Sequence, residues 1–86
     1  MKIKVYQSKE DKYIEMNVLA TYKYIGESDE LSFLNGKIYN CVGYDEQSGM
    51  AKLVDETNED YYYYLDNFKL VEDFRSEVDD KEKGSK

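Results

Sequence analysis

Residues 18–25 read Val18-Leu19-Ala20-Thr21-Tyr22-Lys23-Tyr24-Ile25, and this stretch decides the fold class. Successive side chains of an extended strand point to opposite faces. Ala20, Tyr22 and Tyr24 therefore share one face, and Leu19, Thr21, Lys23 and Ile25 share the other. Tyrosine and β-branched residues suit the half-buried surface of a sheet. The alternation breaks at Gly26-Glu27-Ser28-Asp29, a run of turn-forming residues, which predicts a strand ending near Ile25.

Downstream the same grammar repeats. Asn35-Gly36 marks a turn because both residues tolerate positive φ. It leads into Lys37-Ile38-Tyr39-Asn40-Cys41-Val42-Gly43-Tyr44, a second strand. Asp45-Glu46-Gln47-Ser48-Gly49 reads as a hairpin loop, and Met50-Ala51-Lys52-Leu53-Val54 as the strand that leaves it. Asp55 to Asp60 is an acidic, solvated turn, and Tyr61 to Leu65 a fourth strand, whose alternation places two of its four tyrosines on the core side. Leu65-Asp66-Asn67-Phe68 suggests a short turn or a single helical turn before a last strand, Lys69 to Glu72. Short strands separated by turn signals roughly every 8–12 residues point to a small all-β barrel or sandwich.

Both flanks are different in character. Residues 2–7 and 12–19 are expected to pair as a hairpin across Gln7 to Asp11, with a helical turn over Lys9 to Met16 as the alternative. Residues 73–86 hold nine charged side chains among fourteen and too little apolar surface to offset ordering entropy. A flexible tail is expected there, with a frayed helix over 73–79. The division is thus an N-terminal extension over 1–19, a barrel over 20–72 and a charged tail over 73–86.

Composition narrows function mainly by exclusion. The chain of 86 residues carries 19 acidic and 12 basic side chains, a net charge of −7. Residues 1–72 alone hold 14 acidic and 8 basic side chains, so the acidity belongs to the folded part. Such a surface repels phosphate backbones and disfavours direct nucleic-acid binding. With no histidine and a single cysteine, the usual nucleophilic triads cannot be built. Cys41 lies mid-strand and reads as a small core residue. The turn at Asp55 to Asp60 lacks the spacing of a calcium loop, and no zinc or phosphate motif occurs. No metal, cofactor or catalytic residue is expected. One cysteine, no signal-like apolar run and no apolar stretch of membrane-spanning length fit a soluble, cytoplasmic protein.

Three segments resemble the SH3 family. Ala20-Thr21-Tyr22-Lys23-Tyr24 is similar to its Ala-Leu-Tyr-Asp-Tyr strand. Asp29-Glu30-Leu31-Ser32-Phe33, followed by Leu34-Asn35-Gly36-Lys37, is similar to its Asp-Glu-Leu-Ser-Phe-x-x-Gly-Asp segment. Tyr64-Leu65-Asp66-Asn67-Phe68 stands where the family has a hydrophobic residue and Pro-Ser-Asn-Tyr. A closer resemblance is to uncharacterised small SH3-like proteins of Firmicutes and their phages, on Tyr24-Ile25-Gly26-Glu27-Ser28, Asn35-Gly36-Lys37-Ile38-Tyr39 and Asp55-Glu56-Thr57-Asn58-Glu59-Asp60-Tyr61. The resemblance implies a five-stranded SH3-like barrel and a partner groove lined by Tyr22, Tyr24, Asp29, Glu30, Met50 and Phe68. The family's groove tryptophan has no counterpart near Gly49-Met50, and Leu65 stands for its groove proline, so ordinary polyproline recognition is not expected.

The ten tyrosines exceed what so small a core can hide. Outward rings beside Glu27, Asp29 and Glu30 suit a protein or peptide partner of basic character. The leading expectation is a non-catalytic protein–protein interaction module. The alternatives are an acidic decoy that occupies the nucleic-acid site of another protein, and a structural protein that buries its aromatic excess between protomers. The sequence leaves the oligomeric state open.

Overall fold

The computed structural model describes residues 1–75. It is all-β, apart from one short 3-10 turn. The strands are β1 (Lys2–Gln7), β2 (Lys12–Asn17), β3 (Ala20–Tyr24), β4 (Ile38–Asp45), β5 (Met50–Val54), β6 (Asp60–Tyr63) and β7 (Phe68–Asp73), with the 3-10 turn at Leu65–Asn67. β1 and β2 form a separate antiparallel hairpin, while the other five build one antiparallel sheet in the order β6-β5-β4-β3-β7. The expected N-terminal hairpin is present and the helical alternative is not. The expected tail lies almost wholly outside the described residues.

Three expectations need correction. The sheet is not a closed barrel, because β6 and β7 are its two edges and share no ladder. The 3-10 turn between them sends the chain across to β3, where Ile25 N–H donates to the Asn67 carbonyl at 2.8 Å. The ordered unit also runs past Glu72: β7 reaches Asp73, and Phe74 N–H donates to the Leu19 carbonyl at 2.9 Å. Finally, the tyrosine run places one ring, not two, against the core. Tyr63 packs there, Tyr64 caps the 3-10 turn at 63% exposure, and Tyr61 stays 49% exposed although it pairs with buried Leu53.

What unites the two edges is a side chain. The core comprises Ala20, Tyr22, Phe33, Tyr39, Cys41, Ala51 and Leu53. Phe33, 4% exposed, comes from the long β3–β4 connection rather than from a strand. Its ring lies 4.7 Å from that of Tyr63 on β6 and 4.9 Å from that of Phe68 on β7, both edge-to-face. It also contacts Tyr39 at 4.8 Å and Tyr24 at 5.3 Å. Edge-to-face stacking sets the positive rim of one ring against the negative face of another, and adds about 0.5–1.5 kcal/mol per pair to the burial itself. The edges of the sheet are therefore joined through aromatic rings and not through backbone hydrogen bonds.

Two irregularities let a single sheet bend this far. Val42 is an extra residue between the Cys41–Leu53 and Gly43–Lys52 pairs, and Val71 an extra residue between the Thr21–Glu72 and Tyr22–Leu70 pairs. Such bulges sharpen the local twist. Gly36 holds φ +86° at the entry to β4, a left-handed conformation that favours glycine. The hairpin docks on the turn before β6, where Tyr6 N–H donates to the Asn58 carbonyl at 2.8 Å. Val5 on β1 and Val18 between β2 and β3 are both buried.

Replacing Phe33 with alanine removes the ring that joins both edges. It should destabilise the protein by about 3–5 kcal/mol, the range for a buried aromatic. Leu31→Ala, at a side chain 75% exposed two residues away, should change stability by no more than about 0.5 kcal/mol. Urea denaturation of the two variants checks both figures, and similar midpoints for the two would refute the role given to Phe33.

Candidate functional site

The β3–β4 connection, residues 25–37, is long but tightly held. At its base Tyr24 N–H donates to the Lys37 carbonyl at 3.0 Å and Gly36 N–H to the Tyr24 carbonyl at 2.7 Å. Asn35 bridges the arms: its side-chain amide donates to the Gly26 carbonyl at 2.8 Å, and its backbone N–H donates to Ser28 Oγ at 2.8 Å. The tip is a turn in which Asp29 N–H donates to the Phe33 carbonyl at 2.7 Å and Leu31 N–H to Asp29 Oδ1 at 3.0 Å. Phe33 then plunges into the core and fixes the loop from below.

Held at its base and tip in this way, the loop leaves Glu27, Ser28, Asp29, Glu30 and Leu31 exposed. Together with the half-buried Tyr24 these line a shallow concavity. Tyr24 stacks on Phe33 and, at 5.1 Å, on Phe68, and its hydroxyl donates to the Glu27 carbonyl at 2.7 Å. Gly26 is required beside it, since a Cβ there would sit 2.7 Å from the Tyr24 hydroxyl oxygen. Among the described residues no lysine or arginine pairs with Glu27, Asp29 or Glu30. Three carboxylates thus face solvent uncompensated beside a fixed aromatic ring.

Of the six residues read as groove-lining, the structure brings together Tyr24, Asp29 and Glu30, with Phe68 behind Tyr24. Tyr22 is not a surface residue: it is 6% exposed, part of the core, and its hydroxyl shares a 2.8 Å hydrogen bond with that of Tyr44. Met50 lies elsewhere, opening β5 opposite Asp45 and absent from the residues around the concavity. Sequence reasoning missed Leu31, whose exposure follows from the tip turn anchored on Asp29.

The turn at Asp55 to Asp60 is likewise not simply solvated. Asp55 is 6% exposed and accepts hydrogen bonds from the Thr57 backbone, the Thr57 hydroxyl and, at 2.7 Å, the Tyr63 hydroxyl. The Asp-x-Thr spacing is the signal that identifies such a local cap. Next to it, Tyr39 donates to Glu56 while accepting from Leu34 N–H at 2.7 Å, and Lys37 pairs with Glu56 at 2.8 Å. Lys37 and Tyr39 together hold the Glu56 carboxyl below its usual range. Glu56 N–H also donates to the Ser32 carbonyl, so this turn buttresses the long loop.

A second concavity lies between the hairpin and β6, and the polar side chains on its β5–β6 side bond to one another and to the hairpin. Asp60 receives Gln7 Nε2 at 3.2 Å and the Lys52 ammonium at 3.3 Å, and Tyr61 donates to Glu59 at 3.0 Å. Among the described residues no helix is long and apolar enough to cross a membrane. Comparison with protein-family models, curated proteins and solved structures finds no match to this chain.

The buried phenols give the loop support a pH signature. Burial, and then the bond to Glu56, push the Tyr39 pKa up to about 12. Burial, with the bond to Asp55, raises Tyr63, and burial, with the bond to Tyr22, raises Tyr44. Unfolded tyrosine ionises near pH ~10, so these groups lend stability that is complete below that pH and lost as pH climbs through the folded values. Absorbance titration should show Tyr39, Tyr44 and Tyr63 ionising only with loss of the circular-dichroism signal. Ionisation of these three at about pH 10 with the fold intact would contradict this.

Proposed function

We propose that this protein is a non-catalytic protein–protein interaction module of SH3-like type that receives a basic segment on its β3–β4 loop. The SH3-like assignment is supported by the antiparallel order β7-β3-β4-β5-β6, the long loop after the first of these strands, and the 3-10 turn before the last. The family relationship is a matter of arrangement, since the sheet is joined by rings rather than by a closing ladder.

One observation carries the functional reading. Among the described residues Glu27, Asp29 and Glu30 stand without a counter-charge around Tyr24 and the exposed Leu31, on a loop pinned by hydrogen bonds at its base and tip. A rigid loop loses little entropy on binding. Uncompensated carboxylates steer a cationic partner, and the tyrosine face accepts a guanidinium or ammonium group. Tyr24, Asp29, Glu30 and Phe68 form the contact and its support. Tyr22 acts from the core, and Met50 takes no part. A polyproline ligand fits less well, because the concavity has one ring where two walls are needed.

The test is binding of an arginine-rich peptide and of its acidic counterpart, followed by fluorescence anisotropy. The arginine-rich peptide should bind, weakening with salt, and the Glu27→Gln/Glu30→Gln variant should lose about tenfold in affinity. Equal affinity of the variant and the parent chain, or a preference for the acidic peptide, would overturn the proposal.

A further inference from the structure

We propose that β7 pairs antiparallel with β7 of a second copy of this chain, about a two-fold axis that passes between Leu70 and Val71. This contact is separate from the loop surface and does not depend on it.

Among the described residues β7 is bonded to β3 on one side only, and the sheet ends there. Residues 69–73 are all exposed, including Leu70 at 49% and Val71 at 44%. A free strand edge with adjacent apolar side chains and no proline is a template for another strand.

The register to β3 shows which strand fits. Lys69 lies opposite Lys23 and Glu72 opposite Thr21, whereas Phe68, Leu70 and Asp73 lie opposite Tyr24, Tyr22 and Ala20. Lys23 and Thr21 point to one face of β3, so Lys69 and Glu72 share that face. In a regular strand, residues three apart point to opposite faces. The extra residue at Val71 brings this pair to the same one.

That matters for symmetry. In a two-fold antiparallel pair, residue i of one copy meets residue j of the other, and j meets i, so both must point to one face. Lys69 and Glu72 meet this condition because of the bulge. Pairing them sets Lys69 against Glu72 of the second copy twice, once on either side of the axis. Charge favours the same register. Lys23 and Lys69 sit side by side across the β3–β7 ladder, and among the described residues neither they nor Glu72 has an ion-pair partner. The second copy supplies the missing counter-charges on both sides. Two chains of net charge −7 otherwise repel, so association must rest on local complementarity of this kind.

Sedimentation equilibrium of the full chain across micromolar to millimolar concentration tests the contact. The expected result is a reversible shift from 10.2 kDa to twice that mass. Lys69→Glu and Glu72→Lys should each raise the dimer dissociation constant by about tenfold or more, because each sets like charges opposite one another. The Lys69→Glu/Glu72→Lys double variant restores opposite charges and should dimerise like the parent chain. Circular dichroism confirms the fold of each variant. A parent chain monomeric throughout, or a double variant no tighter than the single ones, would overturn the proposal. Strand addition by a different protein would leave the parent chain monomeric and counts against it. Glu27→Gln/Glu30→Gln should leave the dimer unchanged, so failure of the loop reading and failure of this one are distinguishable.

Discussion

The structure depends on the burial of Phe33. A five-stranded antiparallel sheet with two unpaired edges cannot by itself enclose a core, and these edges make no ladder with each other. Phe33 resolves this by touching Tyr63 on one edge strand and Phe68 on the other. Because it belongs to the β3–β4 loop, the same contact that joins the sheet also immobilises the loop. Closure of the core and presentation of Glu27 to Leu31 are one event, not two.

The tyrosine content makes sense on the same terms. Each core-facing tyrosine brings a hydroxyl that must be satisfied when buried. The partners are near at hand: Tyr44 for Tyr22, Glu56 for Tyr39 and Asp55 for Tyr63. Part of the acidity that reads as surface charge therefore serves as internal acceptors, while Glu27, Asp29 and Glu30 on the long loop face solvent. Phenylalanine in those positions would be easier to bury but would leave Leu34 N–H and the Asp55 carboxylate without their tyrosine partners.

The strands were legible from local pattern. Alternation from Ala20 to Tyr24, the Asn35-Gly36 turn and the polar loop before Met50 place β3, β4 and β5 to within a residue or so. These signals are local, and so is the geometry they describe. Burial at the edges was not legible, because it depends on which strands lack neighbours. Tyr22 reads as an available ring from its motif, yet Phe68 and Tyr44 enclose it. Tyr61 shares the alternation phase of Tyr63, yet edge position leaves it half-exposed. Asp29 and Glu30 lie beside Tyr24 because one continuous loop carries them. Met50 was misplaced because its assignment rested on a family position rather than on any property of the residue.

Joining a sheet by rings also has a consequence for the order of assembly. The β3–β4, β4–β5 and β5–β6 pairs connect strands adjacent along the chain and can zip one after another. The β3–β7 pair must bring Ala20 to Asp73, and Phe33 must find Tyr63 and Phe68, only once those hairpins exist. Distant contacts carry the larger loop-closure cost before they return any stabilisation. Sequence separation alone thus places the capture of Phe33 between the two edges after the hairpins, and with it the anchoring of the acidic loop to the core.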